Sequence, residues 1–240
     1  MSRAEPPDRK EPSHFEAALP EELLMARLPT GRHGLPRSFI ESNQRLRIIA
    51  AMLRVLPDRG FPATRIGDIT SEASVSRAAF YEHFADKEAC FLATFDFCAR
   101  WFCERIEVAV EAEVGWPDRI RTGIAETLSL LAANPLVAHL IAIESVQVGR
   151  VGRQRQQALQ ESFAAVLREG HSGRADLPND FADLLLGGAL SLVARYVDAG
   201  RTEQLVEATR TLVEFVLIPY LGAEEASVAL AGLPESDRSG

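Results

Sequence analysis

An all-α fold is predicted by three observations. Strand signals are nearly absent, with no hairpin dipeptide flanked by alternating β-branched runs. Apolar residues recur at helical spacing almost throughout. The interruptions are Pro- and Gly-containing segments, among them PTGRHGLPR, PDRGFPAT, VGWPD, EGHSGRADLPND and IPYLG, and cutting there leaves about nine helices. No repeat of fixed period is visible.

The first clear helix is expected from about Phe39 to Leu56, where Leu46, Ile49, Ala50 and Leu53 share a face and Pro57 and Gly60 end it. A short helix follows from about Thr64 to Ala73, with Ile66, Ile69 and Ala73 on one side and Thr64 as N-cap. The next starts near Ser76 and stops before Asp86. A long helix from about Lys87 to Val114 carries Phe91, Phe95, Trp101 and Phe102, which read mainly as core. Further helices are expected near 117–133, 135–148, 151–169, 179–199 and 202–221.

Composition bounds the function. Of 240 residues, 47% are hydrophobic, enough for a substantial core. The greasiest run, LLLGGALSLVA, is too short to span a bilayer, and the charged, Pro-rich N-terminus lacks the apolar stretch of a signal peptide. A cytoplasmic protein without membrane contact is the expectation. Cys90, Cys98 and Cys103 form no C-x-x-C and read as small buried hydrophobes rather than a disulfide framework or zinc site. The net charge is −8, yet residues 32–90 hold nine Lys or Arg against seven Asp or Glu. That distribution suits a small anion-binding module on an acidic body.

The short helices before Asp86, joined by the tight ASVS turn, make a helix-turn-helix. On the last of them Phe80 and Phe84 lie four apart and pack inward with Val75. Arg77 and Tyr81 lie four apart on another face, with Ser76 and His83 close to the same side. One side is aromatic and the other can hydrogen-bond, and the helix start offers free N–H groups for phosphates or bases.

The run RLRIIAAMLRVLPDRGFPATRIGDITSEASVSRAAFYEHFADKEACFLATF resembles the DNA-binding domain of TetR-type transcriptional regulators, through its Ala-rich first helix, Gly60, Thr64, IGDI, VSRAAFYEHF and DKEACF. The resemblance covers about residues 43–95 and departs at Ser74, where the family usually has Gly. A side chain at that left-handed position is expected to cost about 1 kcal/mol. The resemblance implies that Ser76, Arg77 and Ala78 face bases or nearby phosphates. It also implies that Thr64, Tyr81, His83 and Lys87 contact backbone phosphates. The segment LPTGRHGLPRSFI looks like an arm found in some members, from which Arg32 and Arg37 could reach a neighbouring groove.

The family further implies an all-helical ligand-sensing and dimerising body. The division expected is an N-terminal mobile arm over 1–36, the helix-turn-helix domain over 37–87, the ligand-binding and dimerisation domain over 88–221 and a flexible tail over 222–240. Candidate ligand residues are Trp101, Phe102 and Arg105 on the long helix, and His139 and Glu144 within NPLVAHLIAIES. QRQQALQ reads as a polar helix face. FADLLLGGALSLVARYV lines up Leu185, Gly188, Leu192 and Tyr196, and the following helix adds Leu212, Phe215 and Val216. Two such helices per chain can form a four-helix bundle with a twofold mate.

Nucleotide loops of the G-x-x-x-x-G-K-[ST] or G-x-G-x-x-G type are absent, GHSGR falls short of a nucleophile elbow, and EPSH is a single Glu-x-x-His in a Pro-containing tail. No catalytic constellation, metal site or cofactor is predicted. The leading expectation is a repressor that binds a palindromic DNA operator as a homodimer and is released by a largely apolar small molecule. The alternatives are a helical ligand-binding protein or interaction adaptor with a vestigial head.

Overall fold

The computed structural model describes residues 37–230 except 172, 173 and 175. The arm expected over 1–36, and the side chain of Arg37 with it, lie outside the described residues. With Pro135–Gln147 taken as one helix, the described residues form ten α-helices and no strand. They are α1 (Arg37–Ala63), α2 (Ile66–Ala73), α3 (Arg77–His83), α4 (Lys87–Val110) and α5 (Trp116–Ala133). Then come α6 (Pro135–Gln147), α7 (Gly149–Glu169), α8 (Phe181–Asp198), α9 (Thr209–Leu221) and α10 (Ala223–Ala229). No single described helix is long and apolar enough to cross a membrane.

The ends of these elements follow local chemistry. α1 runs past the expected stop at Pro57 and breaks at Gly60, whose φ of 70° and ψ of 158° are non-helical. A proline costs a helix one internal hydrogen bond, whereas that backbone conformation ends its course. The Ser76 Oγ caps α3 by accepting the Ala79 N–H at 3.0 Å, and an Asp86 carboxylate oxygen caps α4 by accepting the Ala89 N–H at 2.7 Å. α5 and α6 meet at 107°. The middle of α6, Leu140–Glu144, is π-helical. The segment expected as one helix over 202–221 divides into a 3₁₀ turn (Thr202–Ala208) and α9.

Three apolar clusters hold the helices together. The first contains Ile48, Met52, Leu53, Ile69, Phe80 and Phe84 of the helix-turn-helix head and continues through Phe91 and Phe95 to Leu136, Val137 and Leu140 of α6. The second joins Phe102, Leu128, Leu131, Val193, Leu205 and Leu212. The third joins Ile120, Leu167, Leu185, Val213, Leu217 and Tyr220. It also takes in Ala226 and Leu230. The chain after Gly222, expected to fray, therefore begins with a docked helix whose Ala226 is fully buried. Cys90 and Cys98 are buried, and burial pushes each thiol up to about 12.

The α2–α3 turn carries Ser74 at φ 52° and ψ 47°, the left-handed geometry expected from its place in the sequence. It is the one non-glycine with positive φ among the described residues. Arg47 on α1 clamps the turn by donating through Nη2 to the carbonyls of Ala73 and Ser74, the second at 2.9 Å. Ser74→Gly removes the Cβ that the left-handed region disfavours. Thermal unfolding of that variant is expected to show a gain of about 0.5–1 kcal/mol, read as a Tm increase of roughly 1–4 °C for a chain this size.

Candidate nucleic-acid interface and ligand cavity

α3 is two-sided, as its spacing predicts. Phe80 is fully buried and Phe84 nearly so, while Ser76, Arg77, Ala78 and Tyr81 are exposed. The Phe80 ring meets Tyr81 edge-on at 5.5 Å and Phe84 at 5.7 Å, so the aromatic side is continuous. Arg45 of α1 lies 5.4 Å over the Phe84 ring and holds that side from beneath. Tyr81 leaves 56% of its surface in solvent. The Arg77 guanidinium extends across Gly67 of α2, where a Cβ would stand 3.3 Å from Nη2. Together these side chains form an exposed ridge with one cation and several hydrogen-bonding tips.

Three residues expected at phosphates are engaged differently. Thr64 is only 2% exposed, and its hydroxyl donates to the Gly60 carbonyl at 2.8 Å. It shapes the turn between α1 and α2. Lys87 directs its ammonium inward, donating to the carbonyls of Phe61 at 2.7 Å and Thr64 at 2.8 Å while lying 4.3 Å over the Phe61 ring. Carbonyls left open at the end of α1 attract a cation, and desolvation lowers the Lys87 pKa from its ordinary value. His83 is half-buried, with a buried Nε2 lacking a hydrogen-bond partner among the described residues.

In the body, α4 to α9 line a partly open cavity of about 750 Å³. Ile106, Ile124, Leu128, Leu131, Leu190 and Val193 supply much of its wall, and Arg119, Thr127, Gln156 and Gln160 add polar groups. Of the five residues expected to contact a ligand, Phe102 lines it. Trp101 instead packs between the first two apolar clusters, and Arg105 is exposed on the far side of its helix. His139 and Glu144 sit behind the wall, 3.8 Å apart between Nδ1 and Oε1. The polar run that includes Gln156, Gln157 and Gln160 faces the cavity rather than solvent alone. Its helical period was visible in the sequence, but what it faces depends on α5 and α8. Cys103 also lines the cavity, and burial together with the nearby Glu107 carboxylate raises its thiol pKa. No group of three or more metal-binding side chains occurs among the described residues.

The expected dimer face divides in two. Leu185, Leu212 and Val216 point into the chain's own clusters. Gly188 and Phe215 are exposed, and Leu192 and Tyr196 are partly so. The Phe215 ring covers Gly188, with Cζ 2.9 Å from the position a Cβ would take. Leu184, 68% exposed, and Ile218, 41% exposed, extend the apolar strip on α8 and α9.

Comparison with known proteins gives the following. Residues 48–94 match the family described as bacterial regulatory proteins, tetR family. The uncharacterized HTH-type transcriptional regulator YerO of Bacillus subtilis is 43% identical over 51 residues, which are 21% of this chain and 18% of that protein. The fatty acid metabolism regulator protein of B. subtilis is 23% identical over 122 residues, 51% of this chain and 63% of that protein. The chain thus spans less than two thirds of the curated relatives it matches. Among solved structures, FadR from B. subtilis in complex with stearoyl-CoA superposes with a TM-score of 0.63 at 20% identity, over 75% of this chain and 99% of that one. FadR from Bacillus halodurans gives a TM-score of 0.65 at 17% identity, over 72% of this chain and 94% of that one. These structures share the fold, head and body alike.

Proposed function

The chain is a member of the tetR family of bacterial regulatory proteins, and from that premise we propose that it is a ligand-responsive DNA-binding repressor. It acts as a homodimer on a palindromic operator. Each α3 enters a major groove, with Arg77 reading base edges and Ser76, Ala78 and Tyr81 set against the backbone or adjacent bases. The observation that carries this reading is the exposed Ser76–Arg77–Tyr81 ridge on a helix whose opposite side is locked by Phe80 and Phe84. A cavity of about 750 Å³ in the same chain supports the ligand-responsive part, since small-molecule sites occupy about 300–1,000 Å³ and are mostly apolar.

The effector is proposed to be an elongated molecule with a long hydrocarbon portion. The Ile and Leu wall supports that, and so does the stearoyl-CoA in the B. subtilis relative's structure. Selection of bound duplexes from a random pool, with and without stearoyl-CoA, tests both halves. A palindromic consensus that is lost on adding the acyl thioester supports the proposal. Binding of no duplex at low salt would favour an adaptor or carrier instead. Affinity for the selected duplex should also fall steeply with salt, because phosphate contacts release counterions.

Dimerisation is proposed to use the α8–α9 strip of Leu184, Gly188, Phe215 and Ile218. Gly188→Leu displaces the Phe215 ring, which is free to swing because it is 43% exposed. The monomer's fold should survive while sedimentation moves from dimer to monomer. A dimeric variant with unchanged affinity would remove Gly188 from the interface.

A further inference from the structure

We infer that Glu144 is a positioning residue that fastens the DNA-reading head to the cavity wall through the backbone N–H of Phe61, an inference that rests on the regulator reading above. The break at Gly60 takes the Phe61 N–H out of the α1 hydrogen-bond ladder. Glu144 Oε2 accepts that N–H at 2.7 Å, across 83 residues of sequence. Glu144 is 1% exposed, so the contact is made in the interior.

Phe61 is held from both sides. Its N–H goes to the body through Glu144, its carbonyl goes to Lys87 at the start of α4, and its ring meets Phe91 edge-on at 5.1 Å. A displacement of Phe61 therefore reaches the end of α1 and the start of α4 together.

The other end of the connection is the π-helical turn Leu140–Glu144. Ile141 and Ala142 of that turn line the cavity, as does Ala138 just before it. An occupant that moves Ile141 or Ala142 moves the same short backbone that carries Glu144. π-helical turns are uncommon insertions that cluster at functional positions.

The fastening rests on one hydrogen bond within the chain. A carboxylate offers about four acceptor sites, and burying it is costly unless they are used. Among the described residues, Glu144 makes one short hydrogen bond. His139 Nδ1 stands 3.8 Å from Oε1, beyond hydrogen-bond range, and is itself buried without a partner. Because the link is a single short hydrogen bond, a small shift of the turn that carries Glu144 is enough to lengthen and break it. Filling the cavity is therefore proposed to withdraw Glu144, free the Phe61 N–H and loosen the head.

Amide exchange in the full chain tests this without knowledge of the effector. Exchange at Phe61 should quicken about tenfold or more in Glu144→Leu, and stay near the parent rate in Glu144→Gln, which keeps an acceptor oxygen. Ala142→Met, which extends a flexible chain into the cavity, should quicken exchange at Phe61 in the parent and add nothing in Glu144→Leu. Ala142→Val serves the same purpose if the Met variant loses helix content. On the selected duplex, the Ala142 variant should lower affinity in the parent but not in Glu144→Leu. Unchanged exchange at Phe61 in either single variant would overturn the inference. So would additive effects of the pair, or faster exchange with no change in duplex affinity. Failure to bind any duplex would instead count against the regulator reading, because the exchange measurements read the fastening by themselves.

Discussion

Arg77→Ala is expected to weaken binding to the selected duplex by about 1–3 kcal/mol, a loss of roughly 5- to 150-fold, and to relax preference at one base position per half-site. The guanidinium projects from the exposed side of α3, so its removal uncovers no core. The fold should therefore be unchanged by circular dichroism and melting, and the loss should appear in affinity alone. Tyr81→Phe supplies the contrast, because its hydroxyl is proposed to meet phosphate and its loss should then weaken all sequences alike. Titration of both variants against the consensus duplex and a set of single-base changes separates the two roles. An Arg77→Ala variant that lost affinity equally for every sequence would return Arg77 to a positioning role.

Phe80→Ala should have the largest effect on stability. The ring is fully buried and touches Tyr81 of its own helix and Phe84 just beyond it at ring-centroid distances of 5.5 and 5.7 Å. Truncating a buried Phe costs about 3–5 kcal/mol, through lost burial and the void left behind. For a chain of this length that is a Tm decrease of roughly 6–20 °C. α3 has seven residues and cannot hold itself together without the anchor. Duplex binding should therefore vanish even at temperatures where the body remains helical. Phe80→Leu, which keeps most of the volume, should recover a large part of both losses. If Phe80→Ala melted like the parent, α3 would be held by something other than its aromatic side.

The same helix marks how far the sequence could be read. Phe80, Phe84, Arg77 and Tyr81 lie within eight residues, and helical spacing alone sorts them into inner and outer sides. Ser74 was legible for the same reason, because the turn geometry is set by its immediate neighbours. Lys87 was not. Its inward role depends on carbonyls opened by the Gly60 break more than twenty residues earlier. The cavity was hidden in a similar way. Phe102, Leu128, Gln156 and Leu190 come from four helices, and each helix shows only its own period. Glu144 stood out as a polar residue in an apolar stretch, but its partner is a backbone N–H that leaves no mark in the sequence. On α8 and α9, apolar residues occur on more than one side. Periodicity therefore could not separate the inward Leu185, Leu212 and Val216 from the outward Gly188 and Phe215.

The first apolar cluster has a consequence for engineering. Because Phe91, Leu136, Val137 and Leu140 complete the packing begun by Met52 and Phe80, residues 37–86 are not an interchangeable cassette. Grafting them onto the sensor of another regulator would leave the hybrid with greasy surfaces facing a mismatched floor. A working chimera would have to transplant the contributing α4 and α6 side chains along with the reading helix, so that the seam falls nearer the edge of this cluster.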